Sequence, residues 1–189
     1  MQQNGGGNRI TGLMELLAQT EHTGAAPVDS WDPPYCGDIG LKITPDGCWH
    51  YQGSPIRRER LVKLFARIMR RDEDGRHYLV TPVEKVDVLV EDAPFVAVEM
   101  ECRGEGVNQT LFFRTNLDDV VECGPERPLR FEVDKDGGCK PYVGVRGRLE
   151  ALLSRALTHD LLELAIRTQA ETGTFGIWSG GKFFEIEAA

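Results

Sequence analysis

Three groups of side chains in this sequence have types and spacings that could do chemistry. The first is Gly176-Ile177-Trp178-Ser179-Gly180-Gly181-Lys182-Phe183, which nearly spells a phosphate-binding loop. That loop needs a hydroxyl after the lysine to hold magnesium, and a helix whose first amides face the phosphates. Phe183 has no hydroxyl, and Phe183-Phe184-Glu185-Ile186 is strand-like, so the segment reads as a hairpin. The second group is a basic run: residues 57–71 hold seven basic side chains and one acid. On a helix, Arg60, Lys63, Arg67 and Arg70 fall on one side, as a solvated face or as a site for a phosphate-bearing ligand or an acidic protein partner. Trp49 and Tyr51, just upstream, could stack a base or fill a core.

The third group is the thiols and imidazoles. Cys36, Cys48, Cys102, Cys123 and Cys139 are odd in number and widely spaced, which reads as reduced thiols and not as a disulfide framework. Cys36 could respond to oxidants if it is exposed beside a cation. Only Cys48 and His50 sit close enough to share a strand face, and His22, His50, His77 and His159 are scattered, so no metal site is expected. Nucleophile-elbow, paired-histidine and dinucleotide motifs are absent. The sequence leans away from an enzyme, and no cofactor is expected.

The net charge of −8 argues against polymeric nucleic acid and anionic membrane as partners, since both demand a basic surface. No apolar run reaches the roughly 18–20 residues that cross a bilayer. No continuous apolar core follows the polar N-terminus, so neither membrane insertion nor secretion is expected and a cytoplasmic location is.

Turn chemistry and periodicity give the elements that must position these residues. Ile10, Leu13, Met14 and Leu17 predict an amphipathic helix over 8–21. Ile39, Leu41 and Ile43 alternate into Thr44-Pro45-Asp46-Gly47, a turn with proline and glycine where each is favoured. A helix is predicted over 57–71, then strands over His77–Thr81 and Val86–Val90. Phe95–Cys102 and Thr110–Thr115 form a hairpin in which paired numbers sum to about 213 on the alternation rule, setting Glu99 opposite Arg114. Leu129, Phe131 and Val133 begin another hairpin through Asp134-Lys135-Asp136-Gly137-Gly138. A long helix over 149–170 and the glycine-rich hairpin complete the pattern.

Matching residues 39–47 to 129–137, and residues 48–61 to 139–152 one glycine later, suggests an internal duplication. The expected fold is α+β, with two small domains built from hairpin–helix–hairpin units. They are placed at 1–83 and 84–189.

Several strings resemble a proteobacterial family of unknown function: Pro33-Pro34-Tyr35-Cys36-Gly37-Asp38-Ile39, Trp49-x-Tyr51-x-Gly53-Ser54-Pro55-Ile56, Thr81-Pro82-Val83-Glu84-Lys85, Val90-Glu91-Asp92-Ala93-Pro94-Phe95 and Phe113-Arg114-Thr115-Asn116. The resemblance covers about residues 31–186. It implies a duplicated fold with a pleckstrin-homology-like C-terminal domain, and a small, nucleotide-like ligand held between the domains in bacterial signalling or stress response. On this expectation Lys85, Arg114 and Arg146 meet an anion, with Glu84 beside Lys85. Asn116 reads polar groups, and Trp49, Tyr51 or Tyr142 stacks. The alternative is a protein-interaction adaptor, using Arg60, Lys63, Arg67 and Arg70 together with the N-terminal helix to hold an acidic protein.

Overall fold

A computed structural model describes residues 26–186, so the helix expected over 8–21 lies outside the described residues. The chain divides into two compact units, Met1–Glu91 and Asp92–Ala189. The boundary falls later than the expected 83/84, because the strand Lys85–Val90 pairs within the first sheet.

The first unit runs β1 (Tyr35–Ile43), β2 (Trp49–Tyr51), β3 (Ser54–Pro55), α1 (Glu59–Arg67), β4 (Met69–Arg71), β5 (His77–Val80) and β6 (Lys85–Val90). Its sheet is ordered β3-β2-β1-β6-β5-β4, with β1 and β6 parallel at the centre. The β1–β2 turn forms as its chemistry predicts. Gly47 takes φ +81°, and Thr44 Oγ1 donates to Asp46 Oδ1 at 2.5 Å. That hydroxyl, with smaller contributions from Cys48, lowers the Asp46 carboxyl to about 2. Gly37 and Gly40, at φ +91° and +83°, give β1 its two register shifts, in conformations that only glycine adopts readily.

The helix expected over 57–71 is shorter. Val62, Phe65 and Ala66 bury its apolar face, but the chain leaves the helix at Ile68, whose carbonyl accepts from Val80 N at 2.9 Å. Met69–Arg71 then pairs with His77–Leu79. Ile68 and Met69 are both 1% exposed, and burial of this pair where the chain turns into β4 overrides the helical period.

The second unit runs β7 (Phe95–Arg103), β8 (Thr110–Thr115), β9 (Val120–Glu122), β10 (Leu129–Val133), β11 (Cys139–Arg146), β12 (Leu149–Leu153), α2 (Arg155–Thr172), β13 (Gly176–Ser179) and β14 (Lys182–Glu185). Its six-stranded sheet is ordered β10-β11-β12-β7-β8-β9, with β7 and β12 parallel. The β7–β8 register carries the expected sum from Glu99↔Arg114 to Arg103↔Thr110; a bulge at Val98 shifts Ala97 opposite Thr115. The helix expected over 149–170 begins later. Leu149, Ala151 and Leu153 are buried on alternate positions of β12, which is strand periodicity. Ser154 then caps α2 by accepting from Leu157 N, and Gly173 ends it in left-handed geometry.

The units are similar, mixed α+β folds consistent with duplication. In each, strands one to three lie on one side of a parallel central pair and strands four to six on the other. This equates β1 with β7 and β4 with β10. The 90/91 offset instead aligns β1–β2 with β10–β11, which are hairpins of shared turn chemistry at different places in the sheet. It also places Glu150 and Leu152 in a strand where Glu59 and Leu61 are helical.

The glycine-rich segment forms the β13–β14 hairpin, and Gly176 and Gly180 in it serve close backbone approach. A Cβ on Gly180 would meet Cys123 O at 2.9 Å and Gly124 Cα at 3.0 Å. The buried Ser179 hydroxyl accepts from Leu111 N at 2.9 Å and donates to Cys123 O at 2.7 Å. Ser179→Ala strands both backbone groups in the core, at a cost of about 1–3 kcal/mol. A denaturant midpoint clearly below the wild-type value is expected, whereas an unchanged midpoint would show that the hydroxyl does not seat the hairpin.

Candidate functional site

Alternation along β4, β5 and β6 sends Met69, Leu79 and Val86 to the core and Arg70, Tyr78, Lys85 and Asp87 to the other face. Arg70 is therefore on a strand, not on the helix. Its guanidinium donates to Val28 O at 2.7 Å and Trp31 O at 2.8 Å, and its Nε pairs with Asp72 at 2.5 Å. Lys85 Nζ reaches the same carboxylate at 3.0 Å and stands 4.6 Å over the Tyr78 ring. Tyr78 donates to Asp74 at 2.5 Å, and burial together with that bond pushes its phenol up to about 12. Arg76 pairs with Asp87, which also accepts from Tyr35. Glu84 contributes backbone: its carbonyl and amide close a tight turn with Thr81.

Burial alone would raise the Asp72 carboxyl, but hydrogen bonds from Arg70 and Lys85 outweigh it and hold the group below its ordinary value. A carboxylate with a depressed folded pKa adds stability above the unfolded value near 3.9, and that stability is lost as pH falls through the folded pKa. The Tm gap between wild type and Asp72→Asn should therefore be widest near neutral pH and narrow below about pH 4. A gap independent of pH would show that Asp72 is not tied to these cations.

The second unit repeats part of this arrangement. Arg130 on β10 stands opposite Tyr142 on β11 as Arg70 on β4 stands opposite Tyr78 on β5, and each arginine has an acid two residues on. The Arg130 guanidinium lies 4.3 Å over the Tyr142 ring and pairs with Glu150 at 2.8 Å and with Glu132. Asp92 accepts from Tyr142 at 2.8 Å and from Lys140. Burial, then that hydrogen bond, pushes the Tyr142 phenol up to about 12.

The other expected site residues are committed in the same way. Arg114 forms a two-pronged pair with Glu99 and a 2.8 Å bond to Asp118. Arg146 meets Asp119 at 3.2 Å and lies 5.2 Å over the Phe95 ring. Asn116 Oδ1 accepts from Val96 N at 3.0 Å while the Asn116 backbone N–H donates to Val96 O at 2.7 Å, a clasp that ties the residue to β7. Trp49 is buried, its ring 6.1 Å from Phe65, so it is core and not a surface for stacking. Tyr51 accepts from Gln52 at 3.1 Å. Of the expected partner face, Arg60, Lys63 and Arg67 stay on α1, with Lys63 paired to Glu59 at 2.7 Å.

Sequence reasoning missed a groove of about 710 Å³ in the second unit. It lies between β10, α2 and the terminal hairpin, with Phe131, Val133, Leu162, Ile166, Phe175 and Ile186 among its walls. Ile166 and Val133 are 59% and 53% exposed, so part of this apolar lining meets solvent. Arg130, Glu132 and Glu185 are its charged lining residues. Among the described residues no helix is long and apolar enough to cross a membrane, and no acidic, histidine or cysteine cluster could hold a metal ion.

Residues 26–93 match the N-terminal domain, and residues 94–186 the C-terminal domain, of the family described as DUF1285, of unknown function. The structure is similar to that of a DUF1285 family protein from Silicibacter pomeroyi DSS-3. The two share 44% identity at a TM-score of 0.85, over 94% of this chain and 95% of the other. It also resembles a DUF1285 family protein from Shewanella baltica OS155, with 28% identity and a TM-score of 0.52 over 66% of this chain and 91% of the other. No curated protein matches. The chain belongs to the DUF1285 family.

Proposed function

We propose that this DUF1285 protein is a binding module whose second unit takes a ligand with an apolar face into the groove beside β10. One observation carries the reading. Two large aliphatic side chains, Val133 and Ile166, stand more than half exposed in the lining of a groove whose surface is mostly apolar. Concave, mostly apolar surfaces with a few charged groups at the rim are where ligands bury area. A nucleotide-like ligand held by Lys85, Arg114 and Arg146 would instead compete for cations that Asp72, Glu99 and Asp119 already occupy.

The neutral apolar dye Nile red serves as probe, and its fluorescence should brighten and shift to the blue on binding. Ile166 is exposed, so Ile166→Glu leaves the core intact. The substitution should raise the dye's Kd about tenfold, the 1.4 kcal/mol of a half-buried isoleucine. An unchanged Kd in the variant would contradict the assignment of the groove.

A further inference from the structure

β10 is an edge strand, and its hydrogen bonding can be read from its two ends. Gly144 N donates to Pro128 O at 3.1 Å, and Asp134 N donates to Gly138 O at 2.7 Å. In an antiparallel ladder this makes the even-numbered residues the ones that turn their amides and carbonyls toward β11. Arg130 and Glu132 face inward, and Phe131 and Val133 turn both backbone groups outward. The partner strand agrees: Phe131 stands opposite Pro141, which has no N–H to donate. All five residues of β10 line the groove, so its wall presents outward backbone groups as well as apolar side chains. Among the described residues no strand pairs with this edge of β10, and an unpaired edge above an apolar floor invites another strand.

Building on the groove reading, we infer that the ligand is an extended peptide segment of a partner protein, which adds to the sheet as a strand beside β10. Its backbone pairs with Phe131 and Val133. Strand geometry sends alternate side chains of the peptide toward Leu162, Ile166 and Phe175, so these are apolar. The charge around the groove sets the rest of the motif. The charged lining residues are Arg130, Glu132 and Glu185, one cation against two acids, and Arg130 is further engaged by Glu150, so the rim is net negative. The peptide therefore carries lysine or arginine among its outward-facing residues.

Selection of a displayed random-peptide library on the full chain tests this. Enriched peptides should alternate apolar residues and carry a basic one. Val133→Pro removes an outward N–H without touching the β10–β11 bonds, as proline is tolerated on a free edge. Val133→Ala removes the side chain and keeps the donor. The selected peptide should bind Val133→Pro about five- to tenfold more weakly than Val133→Ala, the effect of one lost hydrogen bond. If Val133→Pro is poorly folded, N-methylation of the peptide on alternate amides asks the same question of wild type, and one phase of methylation alone should abolish binding.

Equal affinity for the two Val133 variants, with binding still lost in Ile166→Glu, would overturn strand addition and leave the groove as the site. Binding indifferent to Ile166→Glu would overturn both. Failure to enrich any peptide would overturn the inference alone, with Nile red still reporting on the groove. A concentration-dependent dimer that Val133→Pro abolishes would make a second copy the occupant and overturn the assignment to a partner protein.

Discussion

Each unit depends on one pairing, the parallel contact of its first and last strands at the centre of the sheet. Parallel neighbours cannot be joined by a tight turn, so the intervening chain must travel out and back. It does so as two three-stranded meanders, which leaves strands three and four as the edges of both sheets. The placement of the helix then separates the units. In the first, α1 falls between the edge strands β3 and β4. In the second, α2 follows the central strand β12, beginning where Ser154 N donates to Ala97 O at 3.0 Å. A helix starting mid-sheet buries Leu157, Leu161 and Ala165 over the centre and leaves Ile166 exposed across from β10. The groove follows from where the helix enters the chain order.

Charge plays a different part. The arginine–tyrosine pairs on strands four and five fix which face of each sheet is polar, and they carry the duplication more faithfully than the hairpin turns do. Most of these ion pairs are partly exposed, where each adds little to stability. Their consequence is for function: the cations best placed to hold an anion are already matched with carboxylates. Burial produces the opposite effect at Cys123, whose thiol is pushed up to about 11 and stays protonated, and so poorly nucleophilic, at neutral pH.

The hairpins were legible because turn residues and alternation act locally. The sum rule placed Glu99 beside Arg114 and failed only at Val98, where a bulge leaves no trace in the apolar pattern. Ile68-Met69 and Leu149–Leu153 read as helix because short apolar runs suit either period, and strand partners far along the chain decide the outcome. Ser154 was the overlooked signal, a capping residue just after an alternating apolar segment. The candidate cations were chosen by type, but sequence does not show which acid each will meet across a sheet. The groove was partly legible in Phe131, Val133 and Pro141: alternation in one strand faces a proline in the next, the mark of a β10 residue whose backbone turns away from its neighbour.

The central claim is that, among the described residues, the outer edge of β10 is left unpaired. Hydrogen exchange of individual amides in the unliganded protein, followed by NMR, tests it most directly. Arg130 and Glu132 should be protected by their bonds to β11, while Phe131 and Val133 should exchange faster by orders of magnitude. Strong protection at all four positions would mean that something in the chain already covers the edge, and would contradict the account.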